Sequence, residues 1–185
     1  AETEFLKLAT RMKMEITNSK DNFEHASASY HVAIGHAEKI IPFRACLSDL
    51  IVMPCDPDEI VSYHETINAA LFHAGRPLLL VPAGAKAVHL NNKVMIAWNG
   101  SREAMHAVNA SFPFLKSGKV WAMTGESEQW QEPSITPHDL VYYLKAHDID
   151  AEAITPWINH TPLPEAILNV ADKLGVDLII MGAYG

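Results

Sequence analysis

The chain has 185 residues, of which 49% are apolar and 19% charged, and its formal net charge is −8. This composition predicts a globular chain with enough apolar material for a core, and it argues against disorder. Nucleic-acid binding is disfavoured as well, because the chain lacks the clustered Lys and Arg that neutralise phosphates.

The sequence also bears on the compartment. No apolar stretch reaches the 18 or so residues that cross a bilayer, and residues 1–4 have neither the basic start nor the apolar run of a secretory signal. We therefore expect no membrane partner and a cytoplasmic location. The two cysteines, Cys46 and Cys55, lack zinc-site spacing and are interpreted as ordinary semi-buried thiols.

The first half of the chain shows a mixture of helical and strand-like patterns. In order, the sequence predicts a helix over 2–14, a strand over 23–33, a helix over 35–47, a strand over 49–53, a helix over 59–74 and a strand over 77–82. The run at 49–53 has no polar alternation, which favours a parallel strand covered on both faces. Gly75 follows the third helix, where a left-handed cap favours glycine.

The second half alternates strand and helix, the pattern of a parallel α/β sheet. Strands are predicted over 93–98, 118–123, 151–154 and 176–181, with helices between them. Ser101 is a candidate N-cap for the first of these helices. Thr136, with Pro137 next and Asp139 three residues later, indicates the start of the second. Gly175 is expected to close the third.

One segment occurs twice. Ser-Asp-Leu-Ile-Val-Met at 48–53 matches Val-Asp-Leu-Ile-Ile-Met at 176–181, and a helix-like segment precedes each copy. The chain is therefore interpreted as two α/β units, 1–82 and 92–185, joined by a linker over 83–91. The first unit lacks opening strands and the second lacks a last strand, so we expect either a fragment or a chain that borrows elements from another.

The loops after the strands of the second unit are the candidate ligand site. Ligands of open α/β sheets bind beyond the carboxyl ends of the strands, and here Asn99-Gly100-Ser101, Thr124-Gly125 and residues 182–185 occupy those positions. If the first and fourth strands are neighbours, their loops meet at one crevice. Glycines at 182 and 185 suit either a phosphate cradle or an ordinary turn, and spacing alone leaves both open.

These residues resemble a known family. KVMIAWNGSREA at 93–104 and GVDLIIMGAYG at 175–185 are similar to the universal stress protein family, in particular its tandem two-domain members. The resemblance covers 92–185 as a second domain through its fourth strand, and 1–82 as the later half of a first domain. It implies five-stranded, Rossmann-like parallel sheets with helices on both faces, here both incomplete.

The resemblance also implies a nucleotide site. Nucleotide-binding members use a Gly-x2-Gly-x9-Gly-Ser/Thr loop after the fourth strand, an Asp after the first and backbone at the end of the second. The positions of this sequence that match are Ala97, Trp98, Asn99, Gly100, Met123, Thr124, Gly182 and Gly185. Asn99 stands where the family has Asp, and the third glycine is not present. In the first copy, residues 54–57 (Pro-Cys-Asp-Pro) replace the glycine loop, so that unit is predicted not to bind nucleotide.

The function implied is a cytoplasmic stress-response regulatory module that binds ATP or another adenine nucleotide in its second domain. Two alternatives stay open: a structural or protein-interaction module without ligand, and a slow ATP-hydrolysing or adenylating enzyme of the same fold. No nucleophile elbow or Walker motif occurs, and the ten histidines show no metal-binding spacing, so neither catalytic residues nor a metal site are predicted. The four tryptophans are interpreted as core or interface residues, with Trp98 as the candidate for base stacking because it immediately precedes Asn99. A protein partner is expected but not identified, and the strand at 77–82 favours homo-oligomers as a free sheet edge.

Overall fold

The computed structural model describes residues 1–17, 25–56, 60–85, 90, 92–125, 135–156 and 161–183. The helices in these ranges are α1 (Glu2–Arg11), α2 (Ala37–Ala45), α3 (Ile60–His73), α4 (Arg102–Ala110), α5 (Phe112–Leu115), α6 (Pro137–Lys145) and α7 (Leu163–Leu174). The strands are β1 (Glu15–Ile16), β2 (Ser27–Ala28), β3 (Ile51–Cys55), β4 (Leu78–Pro82), β5 (Lys93–Ala97), β6 (Lys119–Met123), β7 (Ala151–Ile154) and β8 (Leu178–Met181). The strand pairs are all parallel, which confirms the α/β class.

A four-stranded sheet in the order β7-β6-β5-β8 organises the second half of the chain. After their first residues, the two central strands, β5 and β6, are largely buried on both faces because helices cover both. On one face, α4, α5 and α6 pack on a core that includes Val94, Ile96, Val120 and Ile180. On the other, α7 packs on Met95, Trp121, Met123 and Ile179. This arrangement is the Rossmann-like layering that the sequence predicted.

The helix caps predicted for this half are present in the structure. The Ala104 amide donates to the Ser101 hydroxyl at 3.1 Å, so Ser101 caps α4. At α6, Thr136 and Asp139 form a reciprocal capping box. Gly175 ends α7 with φ of 64°, the left-handed conformation that favours glycine.

Within the described ranges, helices cover only one face of the two-stranded sheet formed by β3 and β4. Strands β3 and β4 pair with each other, and α2 and α3 pack on the side that holds Ile51 and Met53. Val52, on the opposite face, is 59% exposed. The prediction of a strand covered on both faces is therefore wrong for β3, and the short strand at 77–82 is not buried either, since Leu80 and Val81 are exposed.

Each of the two matching segments follows a helix and forms a strand, α2 before β3 and α7 before β8. Ile51 and Ile179 occupy matching positions, and each belongs to an apolar cluster that includes residues of the helix before its strand. The next residues differ in burial: Ile180 is 6% exposed, whereas Val52 is open. The reason is that α4 packs on the Ile180 side of β8, while none of the described residues covers the equivalent side of β3.

The remaining predictions for the first half meet mixed outcomes. Within the predicted strand over 23–33, the described residues form a strand only at Ser27–Ala28, which pairs with β1; residues 23 and 24 lie outside the described ranges. Most of the proposed linker, 86–89 and 91, lies outside them too. Cys46 is exposed rather than semi-buried, and Cys55 is half-buried. No helix in the described ranges is long and apolar enough to cross a membrane.

Candidate functional site

Three strand ends meet at one edge of the four-stranded sheet. Ala97, the last residue of β5, is the register partner of Met123 on one side and of Met181 on the other. The chain leaves β5 toward β6 and β7, then crosses back to place β8 on the other side of β5. Ligands of open α/β sheets bind at such a reversal of strand order. The first and fourth strands are therefore neighbours, which was the condition for their loops to meet, and the candidate crevice lies between the ends of β5 and β8.

The turn after β5 is held by its own side chains. Asn99 is exposed, and its Oδ1 accepts a hydrogen bond from the Ser101 amide at 3.1 Å. Gly100 takes a φ of 74°, which glycine adopts without strain. Asn99 therefore uses its carbonyl to shape the turn, and its amide nitrogen is the group that can donate to a ligand.

The glycine after β8 approaches α4 closely. A Cβ built on Gly182 would lie 2.6 Å from the Ala104 nitrogen and 2.9 Å from the Glu103 carbonyl carbon. The backbone at Gly182 thus lies directly on the first turn of α4, beside the Asn99 turn. This contact requires a glycine whether or not a ligand binds. Gly185 lies outside the described residues.

The backbone at the end of β6 is hydrogen-bonded to the chain on both sides of it. The Met123 side chain is buried, and its carbonyl accepts the Trp98 amide at 2.7 Å. The Thr124 amide donates to the Ile154 carbonyl at 3.1 Å. Thr124 and Gly125 come directly after β6, and their backbone is the part of this segment that lies at the candidate crevice.

Trp98 is a core residue and not a stacking platform. Its ring is 3% exposed and belongs to the same cluster as Val94 and Ile96. Its indole N–H donates to the Ile135 carbonyl at 2.9 Å. The expectation of base stacking is therefore wrong. The sequence held the signal, because Trp98 continues the period-two alternation that places Val94 and Ile96 on that face.

Two charged side chains among the described residues lie next to the turn after β5. Arg102 and Glu103 are exposed in the first turn of α4. At the start of α6, the hydroxyl and the backbone N–H of Thr136 donate to Asp139 and hold the pKa of that carboxyl below its usual range. Within the described ranges, no group of three His, Cys, Asp or Glu side chains is placed to hold a metal ion. At the opposite end of these strands, the Lys93 amide donates to the Asp177 carboxylate at 3.1 Å, and the Asp177 amide donates to the Lys93 carbonyl at 2.8 Å.

Neither the family models nor the curated proteins contain a match to the chain. Among solved structures, a protein from the universal stress protein family from Burkholderia pseudomallei is 15% identical, with 53% of this chain and 86% of that chain covered and a TM-score of 0.38. Protein Rv1636 from Mycobacterium tuberculosis H37Rv is 21% identical, with 49% and 70% covered and a TM-score of 0.36. The first carries the family name that the sequence resembles. Because both TM-scores are below 0.5, the proposals below rest on the chain's own residues.

Proposed function

We propose that the second unit binds an adenine nucleotide at the carboxyl edge of its sheet, and that the protein is a regulatory module of the universal stress protein type. One observation carries the proposal: β5 and β8 are neighbours in register, so the Asn99 turn and Gly182 lie at the same end of the sheet. Backbone amides beside glycines suit phosphate oxygens, and Thr124 and Gly125 follow β6, the other neighbour of β5, at that end.

The proposal is of binding rather than turnover. Phosphoryl transfer requires a positioned nucleophile and charge-neutralising groups such as a metal or arginine, and the sequence offered no convincing set of them. The first unit is proposed to carry no nucleotide, because β3 continues through Pro54 to Cys55 where the second unit turns at Gly182. We place the protein in the cytoplasm, with an unidentified protein as its partner. The exposed β4 residues Leu80 and Val81 support a homo-oligomer.

A second candidate, a structural or interaction module without ligand, is favoured by one specific contact. The backbone packing of Gly182 on Ala104 explains this glycine without any phosphate. The two candidates therefore differ only in whether the crevice is occupied.

Isothermal titration of the whole chain with ATP, ADP and AMP separates them. We expect saturable heat with at least one of these nucleotides and no release of phosphate over the titration. No heat with any of the three contradicts nucleotide binding and leaves the structural module. Stoichiometric binding followed by steady release of phosphate would instead support the enzyme of the same fold.

A further inference from the structure

Trp98 joins two elements that are distant in sequence. Its indole N–H donates to the carbonyl of Ile135, 37 residues away, and Ile135 immediately precedes the Thr136 cap of α6. Trp98 is 3% exposed, whereas Ile135 is 56% exposed, so the bond is partly buried. It joins the exposed entry of α6 to a side chain that the core holds in place.

The same residue also fixes the other walls of the crevice. Its backbone N–H donates to the Met123 carbonyl at 2.7 Å, which ties the end of β5 to the end of β6. The next residue, Asn99, bonds the Ser101 amide at the start of α4. The entry to α6, the end of β6 and the turn into α4 are thus all held at Trp98 or beside it.

We propose that Trp98 is the positioning residue of the crevice, and that its indole N–H sets where the entry to α6 lies relative to the Asn99 turn. This inference rests on the nucleotide site proposed above. Trp98 does not touch the nucleotide and acts through Ile135. Without the N–H, the nucleotide must itself order the α6 entry, and that ordering weakens binding.

The experiment compares ATP binding by the whole chain with binding by two variants, Trp98→Phe and Trp121→Phe. The control is matched because Trp121 is also buried, at 5% exposure, but lies within β6 on the opposite face of the sheet. Both changes remove the same atoms from a core and are expected to lower the melting temperature. Titrations are made at a temperature where circular dichroism shows all three chains folded. We expect Trp98→Phe to raise Kd at least tenfold and Trp121→Phe to leave it within twofold.

The outcomes are distinct. Equal Kd values for the parent chain and a folded Trp98→Phe variant overturn the positioning role and leave nucleotide binding intact. An equal loss of ATP affinity in Trp98→Phe and Trp121→Phe has the same meaning. No binding by the parent chain overturns nucleotide binding and the positioning role together. If Trp98→Phe does not fold, 3-benzothienylalanine at position 98 keeps the ring shape and removes only the N–H donor. An unchanged Kd for that protein also overturns the role, and a tenfold rise supports it.

Discussion

Gly182 lies on the first turn of α4, so close to Ala104 that an added Cβ would be 2.6 Å from the Ala104 nitrogen. That nitrogen donates to the Ser101 hydroxyl, so Gly182, Ala104 and the N-cap of α4 form one packed unit. The glycine loop and the turn after β5 are therefore joined by direct contact as well as by the pairing of their strands.

Replacing this glycine tests the contact. Gly182→Ala is expected to lower the free energy of unfolding by about 2–3 kcal/mol, because the new methyl group meets backbone that cannot move without shifting α4. Gly75→Ala is the control. Gly75 has a φ of 62° and open space around its missing Cβ, so its substitution costs only backbone strain of about 1 kcal/mol. Urea unfolding followed by circular dichroism measures both, and equal losses would contradict the steric contact.

Asn99 offers a test of ligand placement. Asn99→Asp keeps an acceptor for the Ser101 amide and adds a second oxygen that can accept from a ribose hydroxyl. Hydrogen bonds to charged groups are stronger than neutral ones, so we expect Kd for ATP to fall severalfold. Isothermal titration checks it, with Asn109→Asp, on the far end of α4, as a charge-matched control. If Asn99→Asp binds no better than the control, the ribose does not lie at this turn.

The two copies of the repeat allow a paired test of the uncovered face. Val52→Thr is expected to change the free energy of unfolding by less than about 0.5 kcal/mol, because Val52 is 59% exposed. Ile180→Thr, at the equivalent position, removes buried apolar volume and buries a hydroxyl, and it is expected to cost about 2–3 kcal/mol. Chemical denaturation of both variants gives the comparison. A similar cost at both positions would show that the Val52 face is covered in solution.

The capping box of α6 predicts a dependence on pH. Hydrogen bonds from Thr136 lower the pKa of Asp139, so the ionised carboxylate favours the folded chain. This contribution is complete above the unfolded carboxyl pKa of about 4 and is lost as the pH falls through the lower folded pKa. Asp139→Asn should therefore reduce the melting temperature at pH 7 and flatten its decline in acid. The exposed Asp150→Asn serves as control. If the melting temperature of Asp139→Asn falls in parallel with that of the parent chain down to pH 2, the assignment is contradicted.

Local signals in the sequence were sufficient for most of the second unit. Helix starts at Ser101 and Thr136 and the stop at Gly175 follow from side-chain caps and left-handed glycine, which depend on a few neighbouring residues. The adjacency of β5 and β8 was left as a condition by the sequence, and the strand order of the structure supplies it. The helix ends could be predicted because each depends on a few neighbouring residues, and the strands could be predicted from their apolar runs.

The errors arose where tertiary coverage decides the outcome. An unalternating apolar run predicted two covered faces for β3, but Val52 has no described neighbour of the kind that α4 provides for Ile180. Trp98 was considered for base stacking because it adjoins Asn99, whereas its alternation with Ile96 already placed it in the core. The hydrogen bond from Trp98 to Ile135 joins residues 37 apart in the chain, and no local sequence pattern predicts it.

The central claim is that a nucleotide occupies the carboxyl edge of the β5-β8 pair. The most direct measurement is a titration of the isotopically labelled chain with ATP, followed through its amide proton and nitrogen resonances. The account predicts the largest shifts at Asn99, Gly100, Gly125 and Gly182, with the β3-β4 amides unchanged. Shifts confined to the first unit, or none at any of these residues at saturating ATP, would contradict it.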